Sequence, residues 1–245
     1  MLKWPGLILI TTLLVSCAPP VVKPIDRQDF RQSGAPRPHL VVLLAGRGAP
    51  RDYFEINRWV EIARQYTTEH DFVAPYAHFG YYRSRQLIAR LREDIIQPAR
   101  RQGYKTISLV GISMGGLGAL LYSEEYPEDV DHIYLFAPFL GKTAVHEQIR
   151  ADGGLPYWTL RAQDADDWNY TLWRWLKTLT LKQDRKKVFL GYGDNDRLRG
   201  HNLLAENLPA QHVIKIPGRH DDITFRQLWQ QMLSQGLLKK RDISL

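Results

Sequence analysis

The feature that most constrains this chain is a strand, a sharp turn and a helix within residues 106–127. The apolar run Ile107–Val110 predicts a buried strand, and Met114 to about Tyr126 predicts the helix. The turn between them reads Gly111-Ile112-Ser113-Met114-Gly115. Glycines two residues before and after the serine let strand and helix pack closely, so that a strained backbone projects the hydroxyl from the sheet edge. The helix N-terminus beneath the serine favours negative charge.

Further strands are predicted on both sides of this turn. Apolar runs at 40–44, 71–76, 130–136, 188–192 and 213–216 each have the length of a strand. Helical periodicity fills the intervals; residues 84–102 predict a long amphipathic helix with its arginines facing outward, and Asp222 to about Gln235 predict the closing helix. Six strands that alternate with helices indicate an α/β fold with a mostly parallel sheet and helices on both faces.

One segment interrupts this alternation. Residues 140–182 contain four of the seven tryptophans, at positions 158, 168, 173 and 175. We interpret the segment as a small, mostly helical cap inserted into the domain. Its aromatic residues either line a substrate pocket or form the core between cap and sheet.

The serine turn, in its strand–turn–helix context, resembles the nucleophile elbow of the α/β-hydrolase family, of the serine esterase and lipase-like kind. The resemblance covers about residues 40–235 and implies the three-layer α/β-hydrolase fold. The first two strands of the full family pattern are expected to be absent, because only a tether precedes residue 40. The resemblance also implies a serine hydrolase that cleaves a carboxylic ester through an acyl-enzyme, with no metal and no organic cofactor.

In this family the serine is followed along the chain by an acid and then by a histidine, each in a loop after a late strand. The resemblance therefore assigns the catalytic roles to Ser113, Asp196 and His220. Asp194 follows the same strand as Asp196 and is the alternative acid, although it could instead cap the turn. His201 and His78 are weaker candidates for the base.

The resemblance further places two backbone N–H groups in an oxyanion hole. One belongs to Met114, the residue after the serine, and the other to Arg47, with Gly46 as the alternative. Candidate substrate-binding residues flank these elements: Gly46, His78, Phe79, Tyr82, Arg197 and Arg219. Arginines beside the oxyanion loop, the acid and the base would favour a carboxylate- or phosphate-bearing substrate if they line the rim, and otherwise are exposed loop residues.

The first residues of the chain resemble a bacterial lipoprotein signal peptide. Lys3 precedes an apolar segment, and Leu14-Val15-Ser16-Cys17 resembles a lipobox that contains the only cysteine of the chain. The segment is too short to read as a membrane-spanning helix. We therefore expect a signal peptide at 1–16, a lipid-anchored tether at 17–38 and the hydrolase domain at 39–245. Ala18 resembles the signal for the outer membrane, which places the domain in the cell envelope, facing the periplasm.

The net charge and the distribution of the basic residues indicate which class of partner the chain binds. The chain carries a formal net charge of +7 and has a pI near 9.5, yet its basic residues are scattered and no basic motif is interleaved with aromatic residues. We therefore expect a small-molecule or lipid ester and a membrane as partners, and no nucleic acid. Thioesterase, amidase or acyltransferase activity on the same residues, and a non-catalytic binding lipoprotein with this fold, stay open as alternatives.

Overall fold

The fold is built on one central sheet. The computed structural model describes residues 19–32, 34, 37–181, 187–236 and 238. Seven strands lie in the order β1-β3-β2-β4-β5-β6-β7. They are β1 Arg27–Phe30, β2 His39–Leu44, β3 His70–Pro75, β4 Thr106–Ile112, β5 His132–Phe136, β6 Lys187–Gly193 and β7 Val213–Ile216. Neighbouring strands from β2 to β7 are parallel, and β1 is antiparallel to β3.

The predicted α/β class and mostly parallel sheet are confirmed, but the count of six strands was one short. The additional strand, β1, lies inside the segment that the sequence analysis assigned to a tether. Its register runs from Arg27 opposite Pro75 to Phe30 opposite Phe72. The sequence Arg-Gln-Asp-Phe has no apolar alternation, because an edge strand is held by ladder hydrogen bonds and buries little side-chain surface.

Ten α-helices connect and cover the strands within the described residues. They are α1 Tyr53–Ile56, α2 Trp59–Arg64, α3 Phe79–Arg83, α4 Leu87–Leu91, α5 Gln97–Arg101, α6 Met114–Glu125, α7 Thr143–Ala151, α8 Trp168–Leu181, α9 Gly200–Ala205 and α10 Asp222–Ser234. Helices α7 and α8 occupy the segment predicted as a cap, and α8 is the last helix before β6. None of the described helices has the length and apolarity needed to cross a bilayer.

Helices lie on both faces of the sheet, which gives the three layers expected. Helix α10 packs against β6, β7 and α2 on one face, where the rings of Trp59 and Trp229 stack with centroids 5.2 Å apart. Helix α6 packs against β2, β4, β5 and α4 on the other face. The strands between these layers are almost wholly apolar and buried, as expected for central parallel strands.

The long helix predicted over 84–102 differs from the structure in two ways. A π-helical turn at Arg92–Ile96 separates α4 from α5. The expectation that its arginines face outward was wrong for Arg90, which is 7% exposed and bonds Asp94 at 3.1 Å. A buried guanidinium is tolerated here because the carboxylate one turn later compensates its charge.

The direction of the strands decides where a site can form. Because β2, β4, β6 and β7 are parallel, the loops that follow them meet at one edge of the sheet. Those loops contain the predicted oxyanion residues, the serine, the acid and the histidine, in that order. Strand β1 runs in the opposite sense, so the chain that precedes it lies at the same edge.

Candidate active site

Ser113 occupies the sharp turn between β4 and α6. Its backbone has φ 52° and ψ −112°, which is a strained conformation for a residue with a side chain. Two backbone hydrogen bonds hold it: Ser113 N–H donates to the Phe136 carbonyl oxygen, and Phe139 N–H donates to the Ser113 carbonyl oxygen, each at 2.9 Å. Ser113 is partly exposed at the carboxyl end of β4.

The glycines around Ser113 are explained by close backbone approach. A Cβ atom at Gly115 would collide with the carbonyl of Leu44, and one at Gly111 would collide with the backbone of Gly115. A Cβ at Gly46 would lie 3.5 Å from Ser113 Cβ. Strand β2, its following loop and the elbow are therefore in direct contact, as the predicted elbow requires.

Asp196 and His220 meet at the same edge of the sheet. They follow β6 and β7, and His220 Nδ1 lies 2.8 Å from Asp196 Oδ2 and 3.0 Å from Oδ1. Asp196 is fully buried, and its Oδ1 also accepts the Leu198 N–H at 2.8 Å. A carboxylate in this position favours the histidine tautomer with the proton on Nδ1, which leaves Nε2 able to accept a proton.

The alternative candidates occupy different environments. Asp194 is exposed, and its Oδ1 accepts hydrogen bonds from Gly218 N–H at 3.0 Å and Asn195 Nδ2 at 2.9 Å, so it holds the turn. His201 is 1% exposed and its ring lies 4.4 Å from that of Tyr192. Burial lowers the pKa of His201 to about 4, although Asp196 acts in the opposite direction. Asp196 is therefore the carboxylate that bonds His220, and Asp194 is not.

The predicted oxyanion donors lie close to the serine. Met114 is the first residue of α6, so its N–H has no intrahelical carbonyl partner. Gly46 is the neighbour of Ser113 described above, and Arg47 follows it in the loop after β2. The Ala49 N–H donates to the Gly46 carbonyl oxygen at 3.2 Å, which closes this loop into a turn.

The remaining predicted residues surround this centre in different ways. The Arg47 guanidinium lies over the Phe79 ring, 4.5 Å from its centroid. Tyr82 Oη donates to the Met114 carbonyl oxygen at 3.0 Å, and burial raises its pKa. His78 caps α3, with Nδ1 accepting the Gly80 N–H at 3.1 Å, and burial lowers its pKa. Arg197 and Arg219 are exposed.

The serine and the histidine are not linked by a hydrogen bond in the described part of the chain. Such contacts are often long in unliganded enzymes and shorten when substrate binds. The same described residues contain no cluster of three or more His, Cys, Asp or Glu side chains that could hold a metal ion.

Sequence reasoning missed two residues that position the elbow. Phe136 and Phe139 supply the backbone bonds to Ser113, and Ala137 between them has φ 40°. The sequence marked the end of the strand over 130–136 at Ala137-Pro138-Phe139, but only the register of the sheet places this end beside the elbow, with Phe136 opposite Ile112. Tyr53 was also missed; its Oη donates to Asp222 at 2.5 Å and joins the start of α1 to the start of α10.

Comparison with known proteins identifies the family to which this chain belongs. Residues 39–237 match the model of the Esterase family, whose description is "Putative esterase". The chain belongs to this esterase family. It is a carboxylic ester hydrolase, and the recognition of an α/β-hydrolase from its elbow is confirmed. No curated protein sequence matches this chain.

Several solved structures share the fold of this chain. S-formylglutathione hydrolase from Staphylococcus aureus has a TM-score of 0.55 at 15% identity and covers 83% of this chain and 82% of its own. Est1E from Butyrivibrio proteoclasticus has a TM-score of 0.55 at 14% identity, covering 87% and 92%. A monoacylglycerol lipase from Paleococcus ferrophilus has a TM-score of 0.52 at 18% identity, covering 86% and 98%. At these identities the likeness concerns the fold.

Proposed function

We propose that this esterase cleaves its substrate through an acyl-enzyme on a Ser113–His220–Asp196 triad. The observation that carries the proposal is the pair of short contacts from His220 Nδ1 to the buried Asp196 carboxylate, at the sheet edge where a serine with φ 52° follows β4. The arrangement has the order and the roles of a catalytic triad. Fold alone would not support this assignment, since one fold hosts many functions.

The chemistry follows from these positions. His220 Nε2 takes the proton of Ser113 Oγ as that oxygen bonds to the ester carbonyl carbon. The carbonyl oxygen becomes an oxyanion, which the N–H groups of Met114 and Arg47 stabilise. The bond to the alcohol then breaks, and His220 gives its proton to the leaving oxygen. Water repeats the sequence on the acyl-enzyme, which releases the carboxylic acid and restores the serine.

Hydrolysis of nitrophenyl esters of graded acyl length tests this proposal. Replacing His220 by Gln should lower kcat by at least about 10³-fold for every ester, because no other group takes the serine proton. A series of matched thioesters measured alongside shows which carbonyl the site prefers. Turnover that survives the His220→Gln change at the original rate would refute the assigned base.

We further propose that a lipid on Cys17 anchors the enzyme in a bacterial envelope. The support is the lipobox-like sequence that ends at the only cysteine. Cys17 lies outside the described residues, so the proposal rests on the sequence. Metabolic labelling with a palmitate analogue should mark the wild type and not Cys17→Ser; equal labelling of both would contradict it.

From the sequence we also propose that the anchored enzyme lies at the outer membrane, on its periplasmic side. Ala18 would follow the lipidated cysteine, and a small residue there resembles the outer-membrane signal, whereas aspartate does not. Membrane fractionation should therefore recover the wild type with the outer membrane and Ala18→Asp with the inner membrane. Recovery of the wild type in the inner membrane would contradict this location.

A further inference from the structure

The described chain begins docked against the domain, directly beside the candidate active site. A Cβ atom at Gly80 would collide with the Pro19 carbonyl oxygen. The Tyr81 hydroxyl lies 3.3 Å from the Val22 nitrogen and 3.1 Å from the Val22 oxygen, and Ile25 N–H donates to Asp94 at 2.8 Å. Residues 19–25 are thus part of the folded unit, where the sequence analysis expected a loose tether.

This docking fixes how far Cys17 can lie from the site. Cys17 is two positions before Pro19, and an extended chain spans about 3.5 Å per residue, so the reach is about 7 Å. Gly80 follows Phe79, whose ring packs under the Arg47 guanidinium in the oxyanion loop. A lipid on Cys17 would therefore hold this rim of the site at the membrane surface.

Exposed apolar side chains occur at the same end of the molecule. The large hydrophobic side chains Val22, Trp168 and Ile223 are 48%, 41% and 62% exposed. Val22 bonds Tyr81 in α3, and Ile223 lies three residues after His220. The Trp168 ring lies 6.2 Å from that of Phe139, which bonds Ser113. Each of the three is thus linked to an element of the carboxyl edge, and their exposed apolar side chains are suited to the headgroup region of a bilayer.

Exposed positive charge lies there too. Within the described residues, Arg47, Arg197 and Arg219 form no salt bridge, although the Thr224 hydrogen bond and Arg219 together lower the pKa of Asp221. All three arginines are exposed and follow strand ends at the carboxyl edge. Exposed guanidinium groups are suited to lipid phosphates, and basic surfaces are drawn to anionic leaflets.

From these four features we propose that the carboxyl-edge rim is a membrane-docking face, with Val22, Trp168 and Ile223 as its apolar contacts and Arg47, Arg197 and Arg219 as its phosphate contacts. The occupant is the surface of an anionic lipid bilayer. The mouth of the site then opens onto lipid, so the substrate is an ester carried by a lipid at that surface. This last step rests on the proposed esterase mechanism, whereas the docking face does not.

Vesicle binding tests the face without the lipid anchor. The buried core runs from Ile25 to Leu238, so a chain that begins at residue 17 and carries Cys17→Ser retains the whole domain. It should sediment with vesicles of phosphatidylglycerol and phosphatidylethanolamine and far less with phosphatidylcholine alone. Raising NaCl to about 0.5 M, where charges are screened beyond about 4 Å, should weaken the binding.

Paired substitutions test whether Val22 and Ile223 belong to the membrane-docking face. Val22→Ser with Ile223→Ser should lower partitioning into anionic vesicles about tenfold, because two apolar contacts are lost. The matched control is Tyr157→Ser with Leu181→Ser; both residues are exposed, and Leu181 lies about 20 Å along α8 from Trp168. Equal loss in both pairs, or no preference for anionic vesicles, would overturn the docking face.

Measurements of ester hydrolysis distinguish a failure of the docking face from a failure of the esterase mechanism. The Val22→Ser and Ile223→Ser pair should lose cleavage of a long-chain ester embedded in vesicles and keep cleavage of a soluble short-chain ester. Loss of both activities would place these residues in the substrate site and overturn the docking role. If the parent protein binds anionic vesicles but cleaves neither ester, the docking face stands and the esterase mechanism fails.

Discussion

The choice between two neighbouring carboxylates, Asp196 and Asp194, offers a sharp test of the site. Asp196→Asn replaces an oxygen that accepts the His220 Nδ1 proton by an NH₂ group, which is itself a donor. The amide oxygen can still accept the Leu198 N–H that Asp196 Oδ1 accepts at 2.8 Å. The amide nitrogen then faces His220 Nδ1 and favours the tautomer with the proton on Nε2, the atom that must receive the serine proton.

The size of the effect follows from that wrong tautomer. The same change in a Ser-His-Asp triad costs about 10⁴-fold in kcat, which corresponds to about 5.5 kcal/mol of transition-state stabilisation. The fold should be affected far less, because the loop keeps its backbone hydrogen bond. Losing one charged hydrogen bond should lower the free energy of unfolding by about 2 kcal/mol or less.

The assay compares Asp196→Asn with Asp194→Asn on a soluble short-chain ester, with urea unfolding of each variant. Asp194→Asn should retain activity, because the oxygen that accepts the Gly218 N–H at 3.0 Å is preserved and no bond to His220 is lost. Activity lost in Asp194→Asn and kept in Asp196→Asn would refute the assignment of the acid. Equal activity in all three proteins would refute a triad of this kind.

Two further predictions concern stability. Gly115→Ala should lower the free energy of unfolding by about 3 kcal/mol, because the new methyl group meets the Leu44 backbone. Gly103→Ala, with φ 92° but no atom within 4 Å of the new methyl group, should lower it by about 1 kcal/mol. Equal losses in urea unfolding would contradict the packing argument. Burial lowers the pKa of His70 and of His201 from 6.5 to about 4, so the unfolded chain binds more protons in that window. Stability should be full above pH 6.5 and fall towards pH 4, by about 3 kcal/mol per histidine, and replacing each by Gln should flatten the curve measured by thermal unfolding.

Much of the site could be predicted from the chain because each part has a local signal. The Gly-x-Ser-x-Gly turn imposes both its backbone strain and its close packing, and apolar runs mark the buried parallel strands. Asp196 and His220 follow two of those strands, and parallel strands bring their following loops to one edge. The assignment of Asp196 and His220 rested on the family's chain order and on these loop positions, with Asp194 left as the alternative acid.

What could not be predicted lacks such a signal. Strand β1 is polar and lies at the edge, and its residues pair with residues of β3 that are far along the chain, from Phe30 opposite Phe72 to Arg27 opposite Pro75, so neither periodicity nor proximity reveals it. The docking of Pro19 and Val22 depends on where the folded domain places Gly80 and Tyr81 of α3. The burial of Arg90 likewise depends on Asp94 facing it across one helical turn.

The central claim is that Ser113 is the nucleophile of this esterase, and fluorophosphonate labelling tests it most directly. Mass spectrometry of the labelled protein should place the adduct on Ser113 and nowhere else. Ser113→Ala should not be labelled, while Ser123→Ala, which removes a buried serine of the same helix bonded to the Ala119 carbonyl oxygen, should label like the wild type. An adduct on another residue, or undiminished labelling of Ser113→Ala, would contradict the claim.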